Sequence, residues 1–293
     1  MFKIFNNSSG RIRYCAPIKV HEIIFIWLLV MFGWSAIFEN FGGDIDYFIY
    51  LKWAAISTTM IVLSKHFVKR EGRNFAQLLG RGFSRRALVE MIAVTIACVC
   101  LGIGCWAVLV LLSAQIDMDW AFRYWHFAVS SDFNRGNWTL NLIVINAITT
   151  SILGPIVEEI VFRGFVLRRL QEKHSVGIAI TISSLIFGFF HLNNNFFGSS
   201  LHGVIYALVA IKFSSLYAPI FVHVGYNAII FFMEKYYGFF LTAERTRIGS
   251  IDYWLPELAL LAIGMTALVC YSKMCLRSQY TASLSLVSHG GVI

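Results

Sequence analysis

Apolar runs long enough to cross, or nearly cross, a roughly 30 Å hydrocarbon core dominate this 293-residue sequence. A segment inside that core must satisfy all its own backbone N–H and C=O groups, which restricts it to a helix or a closed barrel. The runs are approximately Val20–Phe38, Tyr47–Ser64, Leu88–Ser113, Leu140–Leu167, Val176–Leu192, Phe196–Ile211, Tyr217–Met233 and Leu255–Tyr271. They are continuous rather than alternating, so helices are expected and a barrel is not. Charged residues make up 14% of the chain, against about 25% in soluble domains. The expectation is therefore an all-α, polytopic transmembrane bundle of about eight spans, forming a single integral-membrane domain over residues 1–293. A soluble enzyme, a secreted disulfide scaffold and a repeat protein are excluded.

Basic residues orient the bundle. With the N-terminus inside, cytoplasmic segments hold 18 of the 24 Lys and Arg residues, among them Arg70, Arg73, Arg85, Arg86, Arg168, Arg169 and Lys173. Glu39, Asp44 and Asp46 fill the first outer loop. Basic residues favour the cytoplasmic side, so both termini are expected there, in the cytoplasmic (plasma) membrane. The net charge of +8 is then a loop bias, and no nucleic-acid partner is implied. The polar start through Lys19 runs directly into a full-length span, so no cleavable signal peptide is expected. The six cysteines form no CxxC pair and read as small buried hydrophobes. The stretch Gln115–Asn137 mixes Trp120, Tyr124, Trp125 and Phe127 with acidic residues, as an interfacial helix on the outer face would.

Ionisable groups inside spans are costly, so each is a candidate functional residue. The fourth run ends in Gly154-Pro155-Ile156-Val157-Glu158-Glu159-Ile160-Val161-Phe162-Arg163. Glu159 and Arg163 are four apart on one helical face, a favourable ion-pair spacing. Glu158 points about a quarter turn away and has no such local partner. Pro155 removes one helical hydrogen bond beside the carboxylate. The fifth run carries Phe187-Gly188-Phe189-Phe190-His191, and the seventh His223-Val224-Gly225-Tyr226-Asn227. An antiparallel hairpin turning near Lys173-His174-Ser175 puts Glu158 and His191 at one depth. His223 and Asn227 share a face of the seventh helix, also toward the cytoplasm.

A desolvated glutamate is a competent general base toward water, and a histidine beside it can position that water. Two donors on one face, His223 and Asn227, are what an oxyanion site requires. The set reads as peptide hydrolysis without a covalent nucleophile, since no Ser or Cys in these motifs is placed beside a base.

Glu158-Glu159-x-x-x-Arg163, Phe187-x-x-x-His191 and His223-x-x-x-Asn227, in this order, resemble the CAAX protease and bacteriocin-processing (Abi) family over about Leu140–Tyr236. The resemblance implies an intramembrane endopeptidase with that segment as its catalytic core. It implies that Glu158 and His191 activate water and that His223 and Asn227 form the oxyanion site, with Glu159, Arg163 and Phe187 in support. Gly203 and Ala207 stand where the family often has small residues four apart. The implied partner is a membrane-associated or lipid-modified protein or peptide at the bilayer. No cofactor is expected. A zinc site at Glu158, His191 and His223 stays open as an alternative, because one Glu and two His suit zinc, although no HExxH motif is present.

The plain counter-reading is a polar cluster that holds helices together, and it is adopted for His202, Lys52, Glu90 and Glu257. The aromatic residues are expected to pack against lipid and at the interfaces. Two other functions remain open: a non-catalytic member of the family acting in bacteriocin immunity or as a scaffold, and a transporter using Glu158 and His191 as a proton relay.

Overall fold

The computed structural model describes residues 17–40, 45–123, 139–192, 195–237 and 246–289. Helices occupy all eight of the apolar runs. They are α1 (Val20–Glu39), α2 (Ile45–Arg70), the short α3 (Phe75–Leu79), α4 (Arg85–Ile116), α5 (Leu140–Gln171), α6 (Val176–Phe189), α7 (Phe196–Phe213), α8 (Tyr217–Tyr237) and α9 (Leu255–His289). No strand occurs among the described residues.

Polar side chains set several helix starts. Ser84 Oγ accepts from the Ala87 N–H, Thr139 Oγ1 from the Leu142 N–H and Asn195 Oδ1 from the Gly198 N–H. Each satisfies a backbone donor with no partner inside its own helix. Asn74 and Gln77 cap α3 reciprocally, the arrangement in which two such donors are satisfied at once.

Among the described residues five helices are long and apolar enough to cross a membrane: α1, α4, α5, α7 and the stretch Ile251–Cys275 that contains the first part of α9. Val176–Phe189 and Tyr217–Met233 are shorter apolar helices. Large side chains such as Phe25, Phe32, Val62, Val89, Phe189 and Phe197 lie exposed on the helices. Water would not tolerate so much exposed apolar surface, and a bilayer requires it. Of the expected interfacial stretch, residues 118–123 are helical, and 124–137 lie outside the described residues. The described cysteines, Cys98, Cys100, Cys105, Cys270 and Cys275, are free thiols.

Small residues allow the closest helix approaches. A Cβ on Gly104 would stand 2.4 Å from the Leu261 Cβ, and one on Gly264 2.7 Å from the Leu101 backbone nitrogen. Hence α4 and α9 lie almost backbone to backbone, the packing that membranes favour where lipid supplies no hydrophobic drive.

At the basic end of the bundle, backbone and ion-pair contacts join the loops. Leu216 N–H donates to the Leu79 carbonyl at 2.8 Å, and Arg169 Nε donates to the Ile18 carbonyl at 3.1 Å. Arg169 also pairs with Glu71 and Glu172. Gly80 adopts φ +79 there, and a Cβ would lie 2.6 Å from the Ser214 carbonyl oxygen, so only glycine fits the turn.

The fourth run departs from a regular helix. Its α-helical pieces Leu140–Asn146, Gly154–Glu159 and Arg168–Gln171 alternate with π-helical turns at Ala147–Leu153 and Ile160–Leu167. Such turns insert an extra residue and recur at functional sites. Glu158 and Glu159 lie between the two.

Gly264→Val should destabilise the bundle by about 1–3 kcal/mol, the usual cost of overpacking. A lowered unfolding midpoint in detergent, with wild-type insertion, is the expected readout.

Candidate active site

Two adjacent carboxylates on α5 occupy different environments. Glu159 and Arg163 are both fully buried as side chains, with Arg163 Nη1 donating to Glu159 Oε1 at 3.0 Å. Arg163 Nη2 donates onward to the Gly203 carbonyl of α7 at 3.2 Å. At the same residue α7 lies close to α6. A Cβ on Gly203 would sit 3.0 Å from the Ser184 Cα. The guanidinium also lies over the rings of Phe187 (4.5 Å) and Tyr206 (5.2 Å), so aromatic faces share its charge.

Glu159 Oε1 is shared, since His223 Nδ1 stands 2.9 Å from it. Glu158, one residue earlier, retains 20% of its side-chain exposure and makes no contact this short among the described residues. Its Oε2 faces two imidazoles, His223 Nε2 at 3.7 Å and His191 Nε2 at 3.9 Å. Both distances exceed a direct hydrogen bond.

The remaining ring nitrogens settle the tautomers. His191 Nδ1 lies 2.8 Å from the Phe187 carbonyl, which only accepts, so Nδ1 carries the proton. His223 Nδ1 meets a carboxylate held by an arginine, so it too is a donor. In each ring Nε2 is the nitrogen turned toward Glu158.

Asn227, one turn beyond His223 on α8, donates through Nδ2 to the Thr150 carbonyl of α5 at 2.9 Å. One amide N–H is thereby committed and one remains. The four expected catalytic residues divide accordingly. Glu158, His191 and His223 converge through their functional atoms, while Asn227 is tied to the backbone of α5.

Behind them stands an aromatic wall. The Tyr206 ring stacks on His223 at 4.4 Å and 23°, and the His202 ring stacks with Tyr206 at 6.0 Å. The Phe187 ring, 2% exposed, lies 4.5 Å from His191 and 5.9 Å from His223. His202 Nε2 reaches the Cys98 carbonyl of α4 at 2.8 Å, which fits the packing role expected of it. Glu90 likewise binds Lys212 and Tyr271. Tyr206 and the Gly203 carbonyl have no spacing signal of their own; only the small residue at 203 hinted at close approach. Some aromatic residues thus line the site as well as facing lipid.

Among the described residues no group of three or more His, Cys, Asp or Glu side chains is arranged to hold a metal ion.

Residues 139–229 match the family model described as "Type II CAAX prenyl endopeptidase Rce1-like". A curated protein of Bacillus subtilis (strain 168), named "Putative membrane peptidase YdiL", is 31% identical over 124 residues. That match takes in 39% of this chain and 48% of the relative, so the chain spans about half the length of the curated relative it matches. No solved structure matches. The family segment ends two residues after Asn227 and contains Glu158, Glu159, Arg163, Phe187, His191 and His223.

Arg163→Met should strand a buried carboxylate and destabilise the protein by about 3–5 kcal/mol, as breaking a buried pair does. Thermal unfolding in detergent would register it as a large fall, and Arg163→Met with Glu159→Gln should recover part of the loss.

Proposed function

Because residues 139–229 match the type II CAAX prenyl endopeptidase Rce1-like family model, we propose that this chain is an intramembrane endopeptidase. It hydrolyses a peptide bond of a membrane-associated or lipid-modified protein or peptide. The observation that carries this reading is the convergence of Glu158 Oε2 with the Nε2 atoms of His191 and His223, each imidazole anchored through Nδ1.

A substrate water bridging Glu158 and His191 donates its hydrogens to these acceptors and keeps a lone pair for attack, since spacings of this size suit a bridging molecule. Glu158, as general base, takes the proton while the water oxygen bonds to the scissile carbonyl carbon. His223 and Asn227 stabilise the oxyanion. For His223 this requires a proton on Nε2 in addition to the one on Nδ1. Asn227 contributes its uncommitted N–H. Glu158 then passes its proton to the leaving amine as the C–N bond breaks. Glu159 and Arg163 hold His223 in register, and Phe187 packs against both histidines.

The membrane arrangement accompanying this reading has eight spans, both termini cytoplasmic, and the site open toward the cytoplasmic half of the plasma membrane. The substrate reaches it from that side, and no nucleic acid takes part.

Glu158→Gln keeps the shape of the side chain and removes the base. Cells expressing it should lack protein termini that appear with the wild type, and hydrolysis should fall at least about 100-fold, the lower range for loss of a general base. Terminal-peptide mass spectrometry on membrane and secreted fractions reads the result and identifies the bond. Identical termini in both cultures, with the variant stably inserted, would instead support a binding or immunity role.

The reaction as read needs no metal. Dialysis against 1,10-phenanthroline should leave the rate within about twofold, whereas loss restored by zinc would place the ion among Glu158, His191 and His223, a donor set of catalytic-zinc composition.

A further inference from the structure

Asn227 depends on a backbone carbonyl that an ordinary helix would not leave open. At the end of the π-helical turn Ala147–Leu153 the Gly154 N–H reaches the carbonyl of Thr149, five residues back. The next donor in that register would come from residue 155 and would fall on Thr150. Residue 155 is proline, which has no N–H. Gly154, which in α-helical register would serve Thr150, is already spent on Thr149. The Thr150 carbonyl therefore lacks a main-chain donor from either register, and the Asn227 Nδ2 occupies it at 2.9 Å.

Thr150 lies exposed on the helix, where in hydrocarbon a carbonyl without a donor is costly, so this vacancy in the helix ladder draws the amide toward it. Thr150 is itself held: its Oγ1 donates to the Asn146 carbonyl at 2.8 Å and to Asn146 Oδ1 at 3.1 Å. Gly154 keeps the turn tight, since a Cβ there would lie 3.3 Å from the Thr149 carbonyl oxygen.

We propose that Pro155 is a positioning residue for Asn227: by withholding one backbone donor it reserves the Thr150 carbonyl for the Asn227 amide and aims the second amide N–H into the site. Its catalytic consequence rests on the oxyanion role proposed for Asn227; the structural link does not.

The test is a double-mutant cycle on the purified full-length chain in detergent, using wild type, Pro155→Ala, Asn227→Ala and the double variant. Alanine at 155 supplies the missing N–H, and Pro155→Ser supplies it equally if the alanine variant does not fold. The first readout is the unfolding midpoint. Asn227→Ala should lower it by about 1–2 °C in the wild-type background, the scale of an interhelical hydrogen bond in a chain of this size. In the Pro155→Ala background the same change should produce no resolvable shift. An equal shift in both backgrounds overturns the proposal.

The second readout is kcat on a quenched-fluorescent farnesylated peptide ending in a Cys-aliphatic-aliphatic-X sequence. Pro155→Ala should lower kcat by on the order of 10- to 100-fold, the scale of a misplaced reacting group, with KM unchanged and no further loss in the Asn227→Ala background. Equal loss in both backgrounds marks Pro155 as a general helix determinant and again overturns the proposal. Coupled midpoints with kcat unmoved by Asn227→Ala would retain the Pro155–Asn227 link and remove the oxyanion role instead.

Discussion

The buried pair of Glu159 and Arg163 ties together most of what surrounds it. Two opposite charges with no exposed side-chain surface lie among apolar helices, where neither would be tolerated alone. The pair recruits further partners to share its charge. Arg163 reaches the Gly203 carbonyl and the faces of Phe187 and Tyr206, while Glu159 takes the His223 imidazole. Helices α5, α6, α7 and α8 thereby meet at one place for electrostatic reasons, and Glu158 stands beside that place with its own charge uncommitted.

This arrangement separates support from chemistry along two consecutive residues. Glu159 gives its Oε1 to structural donors and fixes the His223 ring through Nδ1. Glu158, a quarter turn around the helix, keeps partial exposure and faces two Nε2 atoms at distances that suit a bridging molecule. Had the roles been spread over unrelated positions, each carboxylate would have needed its own buried cation. Adjacent residues on a helix point in different directions, so one buried arginine suffices for the pair.

The backbone takes part as directly as the side chains. π-helical turns flank the two glutamates, and Pro155 lies at the exit of the first. Together they release a carbonyl that a regular helix would have consumed, and α8 supplies the donor it needs. Small residues serve the same purpose by permitting contact. Gly203 brings a carbonyl within reach of Arg163, and Gly104 and Gly264 bring α4 against α9.

Much of the frame was legible in the sequence because its causes are local or one-dimensional. Apolar run length marks a helix wherever the bilayer forbids unpaired backbone, so helices occupy all eight runs, although among the described residues five are long and apolar enough by that measure to cross. The spacing of Glu159 and Arg163 is a property of four consecutive residues and survives as a 3.0 Å hydrogen bond. The hairpin register brought Glu158 to His191 because two antiparallel helices advance at one rise per residue. The partner of His223 was not legible, nor were the stacking of Tyr206 upon it, the acceptor of Asn227 and the π-helical turns. Those depend on how helices rotate about their own axes when packed, and an extra residue in a turn changes that rotation without altering the hydrophobic pattern. Sequence alone thus determined that this is a helical membrane chain and which polar residues its spans carry; only tertiary structure decided which atoms of those residues meet, because helix rotation is settled by packing between segments distant in sequence.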